Sequence, residues 1–132
     1  GIFGQRYDAS GTPGGSEFQV NTYITGRQSY PAVGKEYTGN GCFVVAWSSD
    51  GEDASGSGIF GRVYYFGTEA LPVYPFNQFT TGNQTRAAVG ALPKFDLLVV
   101  WDSEGQDGSG TGVYANVDVH FVPVELMQFG VE

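Results

Sequence analysis

The sequence predicts an all-β protein, and three observations support this fold class. Glycine accounts for 21 of the 132 residues and aromatic residues for 15%, a composition typical of short strands joined by tight turns. No segment keeps the apolar period of an amphipathic helix. The same landmarks also return about every 55 residues, which indicates a repeated β-unit.

Three copies of one motif establish the repeat. Gly1–Tyr7 returns as Gly58–Tyr64 and, with lower similarity, as Gly112–Asp118. Between these copies, Thr25–Gln28 matches Thr81–Gln84, and an acidic segment that begins at a tryptophan occurs twice. Chance similarity does not keep so many landmarks in order. We therefore divide the single domain into a half unit, residues 1–27, and two units, residues 28–82 and 83–132.

Each unit is predicted to contain four short strands, numbered one to four by their position in the unit. Strand two is almost continuously apolar, as expected for a strand that is buried on both faces, whereas strand three alternates between two faces. Strand one is expected near 29–36 and 85–92, strand two at 42–48 and 97–101, strand three at 2–8, 58–66 and 113–121, and strand four at 17–23, 73–79 and 124–129.

Four strands in about 55 residues fit a β-propeller blade, which makes two full blades plus a half blade. Because a closed ring takes about four to eight blades, the sequence predicts further blades or several chains in one ring. A β-sandwich and an open stack of sheets are the alternatives. The start at Gly1 indicates processing or a longer parent chain, and the degenerate end at Val119–Glu132 is typical of a terminal cap.

Charge and composition exclude several function classes. A net charge of -8 argues against nucleic acid and anionic membranes as partners, because both need clustered basic residues. No apolar run approaches the roughly 18 residues of a membrane-spanning helix. The single cysteine, Cys42, allows no intramolecular disulfide and is expected to be a buried apolar residue, and the single histidine, His120, has no catalytic grouping around it.

An acidic, glycine-rich loop follows strand two in both units. Calcium takes oxygen ligands from carboxylates, hydroxyls and backbone carbonyls, and glycines let the backbone turn its carbonyls inward. The alternative is a solvated turn in which glycines supply positive φ and aspartates cap the backbone. The candidate calcium ligands are Asp50, Asp53 and Ser55 in the first loop and Glu104, Asp107 and Ser109 in the second.

Three aromatic residues are candidates for binding a glycan, since sugars stack on exposed aromatic rings. Tyr37 lies beside a turn segment and is expected to be exposed. Trp47 and Trp101 each end a strand two, so packing between units is the alternative for both.

The strings at Trp101–Gly110, Gly1–Asp8 and Glu17–Thr22 resemble a tandem repeat family of very large bacterial secreted or surface proteins. In those proteins the repeat often lies beside haemolysin-type (RTX) calcium-binding repeats and cadherin-like modules. The resemblance implies an extracellular or cell-surface setting and an adhesive role, and it supplies no catalytic residue. This chain departs from the family pattern at Tyr64–Gly67, which replaces a Tyr-Asp-Ala-Ser turn.

The predicted function is that of a non-catalytic extracellular binding or adhesion module, with a glycan or a cell-surface partner and with calcium as a structural ion. The alternative is a self-assembling subunit of a surface layer, filament or matrix, because the half unit leaves an edge strand unpaired. Its partners would be further copies or neighbouring repeats of a longer chain. A glycoside hydrolase is less favoured, since no pair of carboxylates lies in a recognisable motif.

Overall fold

The computed structural model describes residues 1–35, 41–65, 69–92 and 97–118. These residues form ten strands in three small antiparallel sheets and no helix, which confirms the all-β prediction. The sheets of this part of the chain do not close into a ring. Within the described ranges, no helix has the length and apolarity needed to span a membrane.

The three sheets follow one another along the chain. Sheet 1 pairs β1 (Phe3–Gly4) with β2 (Phe18–Gln19). Sheet 2 has the order β3 (Gln28–Lys35), β4 (Phe43–Asp50), β5 (Ser57–Tyr65) and β6 (Glu69–Ala70), and β7 (Tyr74–Pro75) also pairs with β5. Sheet 3 has the order β10 (Thr111–Asp118), β9 (Leu97–Glu104) and β8 (Gln84–Ala91).

Strand β4 of sheet 2 is buried on both faces, as the apolar pattern of strand two predicts. Along β4, Val44 and Ala46 belong to the core shared with sheet 3, whereas Val45 and Trp47 belong to the core shared with sheet 1. Successive side chains of a strand point to opposite faces, so an uninterrupted apolar run supplies both cores at once. The sheets therefore pack face to face in chain order.

The repeat is preserved in backbone detail. Strands β3 and β8 hold equivalent positions, and both pairings shift register at a bulge, between Ser29 and Ala32 and between Thr85 and Ala88. Each bulge contains a residue with positive φ, at Tyr30 and Arg86. Equivalent sequence positions thus adopt the same irregularity in both units.

The boundaries of three strand classes differ from prediction. Strand three of the first copy, predicted at 2–8, is only Phe3–Gly4, because among the described residues β1 pairs only with the two-residue β2. Strand two continues three residues past its tryptophan, to Asp50 and Glu104, because the acidic loop begins later than its composition suggests. Strand four is only two residues long in β2 and β7. The segments predicted at 119–121 and 124–129, together with His120, lie outside the described residues. Cys42 is buried, as predicted.

Candidate functional site

The two acidic loops share one internally bonded conformation. In the first loop, the Gly51 N–H donates to the Gly56 carbonyl at 2.8 Å, and the Ser55 N–H donates to Asp53 Oδ1 at 3.1 Å. This second bond is the capping role of an aspartate in a turn. The second loop repeats both bonds, with Gly105 donating to Gly110 at 2.7 Å and Ser109 to Asp107 Oδ1 at 3.1 Å.

The other two candidate ligands also have protein partners. Asp50 Oδ1 accepts a hydrogen bond from the Ser57 hydroxyl, and Glu104 Oε2 accepts one from Asn83 Nδ2 at 2.9 Å. Nowhere in the described ranges do three or more carboxylate, histidine or cysteine side chains gather as a metal site. The capped-turn interpretation accounts for these bonds, and calcium binding at the loops stays a prediction.

Glu52, in the first loop, has its titration changed by the fold. Burial raises the pKa of Glu52 above its ordinary value; the neighbouring Asp53 carboxylate acts in the same direction and the Ser49 hydroxyl in the opposite one. The second loop has an uncharged Gln106 at this position. At neutral pH the partly buried Glu52 carboxylate therefore destabilises the first loop, whereas the uncharged Gln106 has no such effect in the second loop.

We expect Glu52→Gln to stabilise the protein by about 0.5 kcal/mol at pH 7, a small gain because the site is partly solvated. A carboxyl group with a raised folded pKa contributes its stability below its unfolded pKa and loses it as pH rises through the folded pKa. The advantage of the variant should therefore vanish near pH 4 and grow toward pH 7. Urea unfolding at both pH values measures it, with Glu17→Gln, at an exposed position, as the control of equal charge. A pH-independent change would contradict the prediction.

The candidate glycan-binding tryptophans lie in the cores. Trp47 is fully buried between sheets 1 and 2, and Trp101 is buried between sheets 2 and 3. Neither ring offers a face to a sugar, so the packing interpretation applies to both. Tyr37 lies outside the described residues.

A buried asparagine–glutamine pair joins consecutive units, and the sequence analysis missed it. In the second copy, Asn77 Oδ1 accepts the Ile59 N–H at 2.7 Å, and Asn77 Nδ2 donates to the Phe79 carbonyl and to Gln84 Oε1 at 2.9 and 3.1 Å. Gln84 Nε2 then donates to the Thr81 carbonyl at 3.0 Å. The first copy repeats these bonds with Asn21, Ile2, Tyr23, Gln28 and Thr25.

A second bond is repeated between neighbouring sheets by different side chains. Arg62 Nη1 of β5 donates to the Val20 carbonyl at 3.1 Å, and Asn116 Nδ2, at the equivalent position of β10, donates to the Phe76 carbonyl at 3.1 Å. Both acceptors lie just after the short strand four of the preceding unit. The contact geometry is therefore a property of the repeat rather than of one residue type.

The outer face of sheet 3 is the face that points away from sheet 2, and no other described sheet packs against it. We define it by Leu98, Val100, Val113, Ala115 and Val117. In β5, the equivalents Ile59 and Val63 are fully buried against sheet 3, whereas Val113 is 75% and Val117 46% exposed. Apolar positions that the inner sheet buries are thus open to solvent on the outer one.

A polar depression of about 280 Å³ lies at the loop end of this outer face. Its lining residues are Asn83, Thr85, Arg86, Asp102, Glu104 and Thr111. The equivalent end of sheet 2 is occupied by sheet 3: the Arg86 N–H donates to Ser48 Oγ and the Ser57 N–H to Asn83 Oδ1, each at 3.1 Å. The outer face of sheet 3 therefore reproduces both the apolar and the polar part of an inner sheet interface.

Comparison of the chain with protein-family models, with curated proteins and with solved structures found no match. The resemblance to the bacterial repeat family, and the extracellular setting that it implies, stay predictions.

Proposed function

We propose that the chain is a non-catalytic binding module of the cell surface or extracellular space, built from propeller-like four-stranded units, that binds a second copy of itself through the outer face of sheet 3. The extracellular setting comes from the family resemblance. The sheets pack face to face in the order of the chain, as the blades of a propeller do. A sandwich and an open stack of sheets are compatible with the same packing.

One observation carries the proposal. Val113 and Val117 are exposed, although the equivalent Ile59 and Val63 are fully buried in a core that contains Phe76 and residues of sheet 3. Covering a valine side chain releases about 1.5 kcal/mol or more, so a face of several such residues favours association. A contiguous apolar surface rimmed by polar residues is also the usual mark of a protein interface.

The solution mass at high micromolar concentration tests this proposal. We expect the wild-type chain to sediment as a dimer or larger species. The double variant Val113→Asp, Val117→Asp should be monomeric, because two carboxylates on the face must be desolvated on association. Ile24→Asp makes the same change at a residue that is also 75% exposed but lies in a loop, and should leave the mass unchanged.

A strictly monomeric wild-type chain would contradict the proposal, as would self-association that survives the double variant. Far-ultraviolet circular dichroism of all three proteins shows whether the variants keep the β-fold, so that loss of association is not confused with unfolding.

A further inference from the structure

The further inference concerns the edge of β1 that faces away from β2. β1 is the counterpart of β5, since Gly1–Tyr7 repeats as Gly58–Tyr64. In sheet 2, β5 pairs with β4 on one edge and with β6 and β7 on the other. Among the described residues β1 pairs only with β2, the counterpart of β7. The edge that corresponds to the β4 side is therefore unpaired in this part of the chain.

An apolar groove of about 280 Å³ runs along this edge. Its floor is formed by side chains of sheet 2, among them Pro31, Val33, Phe43 and Val45. The groove thus combines a strand edge that no described strand pairs with and an apolar floor.

The internal repeat shows what fills such a groove. In sheet 3 the equivalents of the floor residues are Ala87, Val89, Leu97 and Val99. All four pack in the core that also contains Cys42, Val44 and Ala46 of strand two in the preceding unit. Sheet 2 has no described strand two in front of it, and Val33 is accordingly 67% exposed.

We infer that this groove binds an extended strand of the strand-two type from another repeat unit, paired antiparallel with β1. Such a strand carries small apolar side chains at alternate positions, as Cys42, Val44 and Ala46 do. In the register of β4 with β5, Ala46 lies opposite Gly61 and Trp47 opposite Phe60. The bound strand would place its equivalent residues opposite Gly4 and Phe3. The inference rests on the proposed function in that the partner is again a repeat unit, here one whose strand two has a free edge, unlike β4 and β9, which are paired on both edges.

Binding of a labelled peptide of residues 41–50, with Cys42→Ser and two added C-terminal lysines, tests the inference by fluorescence anisotropy. We expect saturable binding, weakened at least about tenfold by Val33→Lys in the protein, because the charge would lie on the groove floor. Ile24→Lys places the same charge at an exposed loop residue outside the groove lining and should not alter the affinity. A peptide with Val45→Pro should also bind at least about tenfold more weakly, since proline removes a ladder hydrogen bond.

Adding a strand one and a strand two before Gly1 is a second test, and a variant of the added segment is its control. Gly58 is the counterpart of Gly1, and residues 28–57 directly precede Gly58. A copy of residues 28–57 fused before Gly1 therefore supplies strands one and two of the half unit in the register of the repeat. We expect the extended chain to melt at least about 5 °C higher and to stop binding the peptide. The same extension with Val44→Asp and Ala46→Asp in the added segment should do neither.

Absence of saturable binding, or equal binding to the Val33→Lys and Ile24→Lys variants, would overturn the inference, as would an extended chain that still binds the peptide. The two proposals fail separately. Val113→Asp with Val117→Asp should alter only the solution mass, and Val33→Lys should alter only the peptide affinity. A wild-type chain that self-associates but does not bind the peptide would overturn the groove inference alone.

Discussion

Gly34→Ala is expected to lower the free energy of unfolding by about 2–3 kcal/mol, because it overpacks the contact between sheets 2 and 3. A Cβ on Gly34 would overlap Cγ1 of Val89, which projects from β8. The backbones of both strands are fixed by their ladders, so the clash is relieved only by moving one sheet away from the other. Guanidinium unfolding measures the loss.

Gly90→Ala is the matched control, since Gly90 is the counterpart of Gly34 in the next unit. A Cβ on Gly90 meets no described atom within 4 Å, so this variant should lie within about 1 kcal/mol of wild type, on the stabilising side. Adding Val89→Ala to Gly34→Ala should recover part of the loss. Equal effects at the two glycines would contradict the assignment of one inner and one outer face.

Asn77→Ala is expected to lower the free energy of unfolding by about 3 kcal/mol. The variant leaves the buried Ile59 N–H without its acceptor and removes the donor to Gln84 and to the Phe79 carbonyl. Each buried group left unpaired costs about 1–3 kcal/mol, and the losses within one network are not additive. Chemical denaturation with a constant m value measures the change.

Two further variants test the assigned orientation of this amide. Gln78→Ala removes the amide of the adjacent exposed residue and should change stability by less than about 0.5 kcal/mol. Asn77→Asp keeps an acceptor for Ile59 but places a carboxylate oxygen against the Phe79 carbonyl. It should be at least as destabilising as alanine at neutral pH and recover when the carboxyl is protonated. A loss of less than about 1 kcal/mol in Asn77→Ala would contradict the prediction.

Several features of the fold follow from the sequence because they depend on local periodicity. The continuous apolar run of β4 predicts burial on both faces, and the alternation of β5 correctly separates Ile59 and Val63 from Phe60 and Tyr64. Repeat spacing also predicts which strands are equivalent.

The short strand four was not predicted, although its cause is visible in the residues. Asn77 takes over the Ile59 N–H with its side chain, and Asn21 does the same for the Ile2 N–H, where a longer strand would supply a backbone acceptor. Asn21 and Asn77 recur in register with the matched Thr25–Gln28 and Thr81–Gln84 segments, a signal that could have revealed the pair. Polar residues at turn positions are usually interpreted as solvated, and only packing shows that these two are buried.

The sequence by itself determined the strand class, the repeat and the two faces of each strand, since these depend on the identities of neighbouring residues. Only the tertiary structure decided which faces are covered. Ile59 and Val113 hold the same place in the repeat, yet one is fully buried and the other is 75% exposed. The physical reason is that burial depends on the sheet that packs in front of a residue, and that sheet comes from a different part of the chain.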